Sequence, residues 1–243
     1  METIQTIGLT KRYRDVTAVN GLDLTVHTGE LYALLGVNGA GKTTTLGMLS
    51  TLIRPTAGDA LLNGKSILRD RTAVKAMLGI SPQETAVAPG LTVRENLQLM
   101  CGVHGFSREK TRQRTDIMLR QFSLEGMEKK KAGRLSGGWQ RRLSIAMALV
   151  GEPEILFLDE PTLGLDVLAR SELWDVIRAL RGRVTIVLTT HYMEEAEALA
   201  DRVGIMKDGC LLAVGTVEEL KKETGESTLE NVFLHIVKGG AAR

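Results

Sequence analysis

Residues 36–43 read Gly-Val-Asn-Gly-Ala-Gly-Lys-Thr, the G-x-x-x-x-G-K-[ST] spacing suited to holding a polyphosphate. Gly36, Gly39 and Gly41 let the backbone curl, so that loop N–H groups, those of Val37, Asn38 and Ala40 among them, turn towards phosphate oxygens. A helix beginning at about Lys42 adds its free amides, including that of Thr44, and the positive end of its dipole. Lys42 can then reach the β- and γ-phosphates, while the Thr43 hydroxyl ligates Mg²⁺. A chance match arises in roughly one random chain in fifty to a hundred, and demanding a strand before and a helix after makes it rarer still. The motif predicts nucleoside triphosphate binding. Alone, it does not say which NTPase.

A second reactive group lies far downstream. The apolar run Ile155-Leu156-Phe157-Leu158 ends in Asp159-Glu160, and a buried strand delivers its last side chains to the sheet edge where the phosphate loop also lies. Asp159 suits the Mg²⁺ shell. Glu160 suits a general base that aligns water for in-line attack on the γ-phosphate. An isolated Asp-Glu pair can equally cap a strand or open a turn, but the phosphate loop upstream makes that the weaker reading. Another apolar run, 184–189, leads to Thr190-His191. A lone His after a strand is usually a structural hydrogen-bonder; here it emerges at the same edge, which favours a γ-phosphate contact.

The elements that must position these residues follow from periodicity and punctuation. Strands are expected at 4–9, 22–26 and 31–35, with the third running into the glycine loop and a helix over 42–52. Arg54-Pro55-Thr56-Ala57-Gly58 closes that helix. A strand at 61–62 enters a tight turn at Asn63-Gly64, and another buried strand lies at 78–81. Apolar residues then recur at helical spacing over 91–100, 109–122 and 138–150, which reads as an inserted helical unit. Alternation returns afterwards: strand 155–158, helix 168–180, strand 184–188, helix 193–200, and strands 203–206 and 210–214. Strands alternating with helices predict an α/β fold with a mostly parallel sheet. The Gly-Gly-Ala-Ala-Arg tail at 239–243 is expected to fray.

Composition narrows the function classes. The chain is 43% apolar and 25% charged, ordinary for a globular protein, and its few aromatics point to aliphatic sheet packing. With 31 basic against 29 acidic residues it lacks the excess of a nucleic-acid binder, and no nucleic-acid partner is expected. The densest basic run, Lys129, Lys130, Lys131 and Arg134 followed by Arg141 and Arg142, reads as a solvated face. Cys101 and Cys210 are far apart and read as free thiols in a reducing compartment. No signal peptide is expected at the N-terminus, and no apolar run approaches the ~20 residues that span a bilayer. Service to a membrane would come from its cytoplasmic face, without direct insertion.

Leu135-Ser136-Gly137-Gly138, followed by Trp139-Gln140-Arg141-Arg142, completes a constellation that resembles the ATP-binding cassette (ABC) ATPases over nearly the whole chain. Ser136 is a good helix N-cap residue, and Gly137 and Gly138 expose amides at a helix start, a second anion site for which one chain with one ATP has no evident use. The resemblance implies the answer, a head-to-tail dimer in which this signature closes over the ATP of the other subunit. It also implies a P-loop NTPase of ABC ATPase type: a mixed-sheet core (1–82 and 152–243), an N-terminal antiparallel β subdomain, and an inserted helical subdomain at 83–151 carrying the signature. Tyr13 resembles the aromatic that stacks on adenine. Gln83 resembles the glutamine that touches Mg²⁺ or the attacking water and senses a membrane subunit. Leu163-Gly164-Leu165-Asp166 resembles the loop that crosses the dimer interface, and His191 matches the switch histidine. The chain departs from common family usage at Trp139, Leu163 and Val37, none of them a catalytic side chain.

The implied activity is ATP hydrolysis with Mg²⁺. The implied partners are a transmembrane permease and a second copy of the chain or a paralogous ATPase. The segment Ser227-Thr228-Leu229-Glu230-Asn231-Val232-Phe233-Leu234 resembles the short helix closing many exporter ATPases of the drug-resistance and lipid or polysaccharide class. A soluble ABC-type ATPase acting on ribosomes or nucleic acid is the alternative; such proteins typically carry paired cassettes, a long coiled coil or zinc-spaced cysteines, none visible here.

Overall fold

The stretch Glu2–Tyr13 buries Ile4 and Leu9 while Ile7 and its two ends face solvent, and it forms β1, the spine of the N-terminal half. The computed structural model describes residues 1–239; of the tail expected to fray, residues 240–243 lie outside the described residues. After β1 come β2 (Val16–Leu22), β3 (Thr25–His27), β4 (Leu31–Leu35), α1 (Lys42–Leu49), β5 (Ala57–Leu62), β6 (Lys65–Ser66), α2 (Arg71–Ala76) and β7 (Leu78–Ser81). Three helices follow, α3 (Val93–Val103), α4 (Arg108–Gln121) and α5 (Gly137–Leu149), with short 3-10 turns between α4 and α5. The chain then runs through β8 (Ile155–Asp159), α6 (Val167–Arg178), β9 (Thr185–Thr190), α7 (Met193–Leu199), β10 (Arg202–Lys207), β11 (Cys210–Gly215), α8 (Val217–Thr224) and α9 (Leu229–Val237).

Two sheets result. One is antiparallel, in the order β2-β1-β5-β6, with β3 also on β1. The other has the order β11-β10-β4-β9-β8-β7. It is parallel from β10 to β7, with β11 antiparallel at one edge, so the main sheet is mixed as the resemblance implies. Strand β4 is buried at all five positions, the mark of a strand covered on both faces. Its Leu31, Ala33 and Leu35 face a core shared with the helices α3 to α9, while Tyr32 and Leu34 face the antiparallel sheet and α1. Strand β8 divides the same way, with Leu156 and Leu158 on one side and Ile155 and Phe157 on the other. Each such aliphatic side chain contributes about 1.5–3 kcal/mol on burial, which fixes the register that aims the strand ends. The C-terminal α9 packs Leu229, Val232, Phe233 and Ile236 into the first of these cores.

Three expectations change in detail. The strand at 22–26 is interrupted, because the Thr6 hydroxyl donates to Leu22 O and accepts from Leu24 N–H, each at 2.7 Å, displacing ladder bonds. The helix expected to 52 stops at Leu49, and Thr51 adopts a left-handed backbone with φ 61°. The basic run is only partly a solvated face. Lys129, Lys130, Lys131 and Arg134 are exposed, but Arg141 and Arg142 are 4% and 8% exposed on the inward side of α5.

Candidate functional site

Strand β4 ends at Leu35, and the Gly36 N–H donates to Thr190 O at 3.2 Å, so the glycine loop starts against the end of β9. Gly36 and Gly41 are there for want of space. A Cβ on either would lie 2.4 Å from a backbone oxygen, that of Met206 or Ala18 respectively, and Gly41 also has φ 102°. Gly41 caps α1 without any side-chain bond, leaving the first-turn amides open to a ligand. The loop curls around the Lys42 ammonium, which donates to Gly36 O at 2.7 Å and Val37 O at 3.2 Å. It also lies 3.2 Å from Glu160 Oε1, and both side chains are 6% exposed.

The acids come from β8, held by its neighbour β9. Asp159 pairs in register with Thr189. The Thr189 hydroxyl donates to Asp159 Oδ1 and accepts from the Glu160 N–H at 3.1 Å. Thr43 Oγ1 donates to the same Asp159 oxygen at 3.2 Å, linking α1 to β8. Glu160 has φ 47°, a left-handed backbone that costs a non-glycine residue about 1–2 kcal/mol. The turn brings its second carboxylate oxygen to 2.8 Å from His191 Nδ1, and the Tyr192 ring packs on the imidazole at 4.1 Å between centroids.

These groups open on a cleft of about 560 Å³ lined by Tyr13, residues 38–44, Gln83, Glu160 and His191, with Ala18 and Leu163 as unforeseen members. Tyr13 ends β1 at the rim, 44% exposed, with the Lys11 ammonium 4.9 Å from its ring centroid. Asp159 sits deeper, behind Thr43, and is 7% exposed. Ser136, Gly137, Gly138 and Asp166 are not among the residues lining this cleft. They form a second surface, where Gly137 faces Leu165 and a Cβ on Gly138 would lie 3.1 Å from Ala169 Cβ. Asp166 caps α6, accepting from Ala169 N–H at 2.9 Å. Ser136 stands at the N-cap of α5, as its type suggests, yet its exposed hydroxyl makes no capping bond.

Sequence reasoning missed Thr189, whose role depends on cross-strand register. It also missed Glu195 on α7, wholly buried behind the site, where it accepts from Trp174 Nε1 at 3.3 Å. Burial pushes the Glu195 carboxyl pKa upward, and the Glu160 charge pushes the same way against its hydrogen bonds.

Thr43, Asp159 and Gln83 offer only oxygen donors to an ion, and no cluster of three or more His, Cys, Asp or Glu suited to a metal occurs among the described residues. That donor set fits a hard cation whose shell is completed by phosphate oxygens and water, as Mg²⁺ requires. With a carboxylate beside an anion-binding loop and an imidazole on that carboxylate, the cleft can align water against a terminal phosphate.

Residues 19–163 match the family model described as ABC transporter. The chain is 44% identical over 236 residues to a daunorubicin resistance ATP-binding protein of Streptomyces coeruleorubidus, covering 97% of this chain and 75% of that protein. A Nod factor export ATP-binding protein of Burkholderia orbicola is 44% identical over 222 residues, 90% of this chain and 73% of that one. Among solved structures, an ATP-binding subunit of an ABC transporter superposes with a TM-score of 0.86 at 27% identity, covering 97% of this chain and 99% of that one. An ATP-binding cassette solved as a dimer with ADP and Pi in a post-hydrolysis state has a TM-score of 0.79, also at 27% identity, covering 88% and 98%. No helix among the described residues is long and apolar enough to cross a membrane.

Proposed function

The chain belongs to the ABC transporter family as an ATP-binding, ATP-hydrolysing subunit, and from that premise we propose that it powers an exporter by closing head-to-tail with a second cassette against a separate membrane permease. The separation of its two anion-binding surfaces carries this reading. Lys42 and the other loop residues of 38–44 line the chain's own cleft, whereas Ser136, Gly137 and Gly138 are not part of that lining. A free hydroxyl and open amides at the start of α5 suit a phosphate supplied by another subunit.

In this reading Tyr13 stacks on adenine, and the loop amides with Lys42 hold the phosphates. Thr43, Asp159 and Gln83 would hold Mg²⁺, which supplies charge neutralisation at the β- and γ-phosphates when bound. Glu160 accepts the proton of the attacking water while His191 orients the carboxylate from the far side. Asp166, at the start of α6, belongs to the closing interface with the partner cassette. The core of 1–82 and 152–243 holds nucleotide, and the helical insertion at 83–151 carries the signature to the partner. Export is supported by the similar drug-resistance and Nod factor export proteins. A cytoplasmic, peripheral position on the membrane goes with a permease partner.

The test is to tag the chain, purify it gently from solubilised membranes and from cytosol, and identify what accompanies it. A stoichiometric polytopic membrane protein is expected. Ribosomes, nucleic acid or a purely soluble partner would leave the ATPase chemistry standing and overturn the transporter role.

A further inference from the structure

Helix α5 carries two consecutive arginines that its burial would not lead one to expect, and they grip different elements. Arg142 pairs with Glu172 on α6 at 2.6 Å, its guanidinium 4.7 Å from the Trp139 ring centroid. Arg141 is 4% exposed and has no carboxylate within salt-bridge distance among the described residues. Its guanidinium instead donates through Nη1 to Pro82 O at 2.5 Å and through Nη2 to Gln83 O. Burying a cation on two main-chain carbonyls is costly unless the fork is well placed. One helical turn along, Ser144 Oγ is 3.0 Å from Ser81 Oγ, both buried. Behind that, Gly79 lies so close that a Cβ there would come within 2.4 Å of Ala148 O. One face of α5 thus meets residues 79–83 in succession, by close approach at Gly79, a hydroxyl pair at Ser81 and the carbonyls of Pro82 and Gln83. Gln83 itself is exposed and lines the nucleotide cleft.

We infer that Arg141 is a positioning residue that ties the Gln83 backbone to α5, so that displacement of the Ser136 end of that helix is delivered to the Gln83 carboxamide in the chain's own cleft. The inference rests on the roles proposed above for Gln83 and Ser136. Arg141 is not among the residues lining the cleft; it works through the two carbonyls. The fork geometry is what matters, since a lysine ammonium cannot span both oxygens in the same plane.

The test is a double-mutant cycle on ATP turnover with R141Q, Q83A and the pair, in the protein as purified with its partners. R141Q is expected to lower kcat by about 10- to 100-fold, as misplacement of a reacting group does, with KM for ATP within about two-fold. In the Q83A background the same change should add little. An equal loss of kcat in both backgrounds, or wild-type kcat for R141Q, overturns the inference. Wild-type turnover for Q83A alone removes Gln83 from the reaction; that failure belongs to the site reading and takes the role of Arg141 with it. Should R141Q not fold, R141K keeps the charge, and its ATP affinity reports folding. Hydrogen exchange at the Gln83 and Glu84 amides should then quicken while α3 is unchanged; wild-type exchange there overturns the inference equally.

Discussion

The Lys42 ammonium lies 3.2 Å from Glu160 Oε1, and the other oxygen of that carboxylate lies 2.8 Å from His191 Nδ1. One carboxylate thus touches both the cation proposed to hold the phosphates and the imidazole proposed to orient the base. In the proposed reading, a phosphate bound by Lys42 competes with Glu160 for the same ammonium. Replacing Glu160 by Gln removes the competing charge while keeping shape and the left-handed turn at residue 160. The E160Q variant is expected to bind ATP as tightly as wild type or more so. Its turnover should fall by about 10²–10⁴-fold, the usual worth of a positioned base. An ATP-bound dimer should accumulate, visible by sedimentation. Turnover within a few-fold of wild type removes Glu160 from the base role.

The same pair makes a prediction about stability. Both partners are 6% exposed, and deleting one member of a buried pair strands the other. K42A should lose most nucleotide affinity and also about 3 kcal/mol of stability in urea unfolding. Adding E160Q to K42A removes the stranded charge and should restore much of that loss. If K42A is as stable as wild type, His191 alone is satisfying Glu160. Unchanged ATP binding in K42A contradicts the phosphate-loop assignment directly.

Ser136 separates a capping role from a ligand role. An N-cap Ser replaced by Ala usually costs about 1 kcal/mol. Here the hydroxyl makes no capping bond, so S136A should melt within a degree or two of wild type. Its turnover should nevertheless fall by about ten-fold, the worth of one charge-assisted hydrogen bond, and the ATP-bound dimer of the E160Q background should weaken. Lower stability with unchanged turnover and dimerisation would mean that Ser136 only caps α5.

How much of this was legible in the sequence depended on whether geometry was local. The phosphate loop, Asp159, Glu160 and His191 could be read because each sits at the end of a buried strand whose direction its own apolar pattern sets. Tyr13 and Gln83 came only through family resemblance: no spacing rule singles out the last residue of a 12-residue strand or a glutamine after a short one. Thr189 was hidden because its partner, Asp159, is chosen by register between β8 and β9. Arg141 read as part of a solvated run, since charge counts cannot see which side of a helix faces the core. The missed α8 did carry a local signal, the Thr216-x-x-Glu219 capping box. The missed α2 carried little, with Val74 its only buried side chain and no capping bond from Asp70.

Glu195 gives the molecule a pH dependence whose sign is fixed by burial. It is wholly buried on α7, and desolvation raises its pKa above the ordinary carboxylate value. As pH rises, the unfolded chain gives up this proton first, near about pH 4.3, while the folded protein holds it longer. Stability from this group is therefore present in acid, lost as pH climbs through the raised folded value, and missing above it. E195Q keeps an acceptor for Trp174 Nε1 and carries no proton to lose. Its Tm should exceed that of wild type at about pH 8, and the gap should shrink steadily towards about pH 3, where the carboxyl is protonated in both the folded and the unfolded chain. Melting curves of the two proteins across that range decide the matter. A wild type more stable than E195Q at the alkaline end would mean that the ionised carboxylate is stabilised where it stands, contrary to what its burial implies.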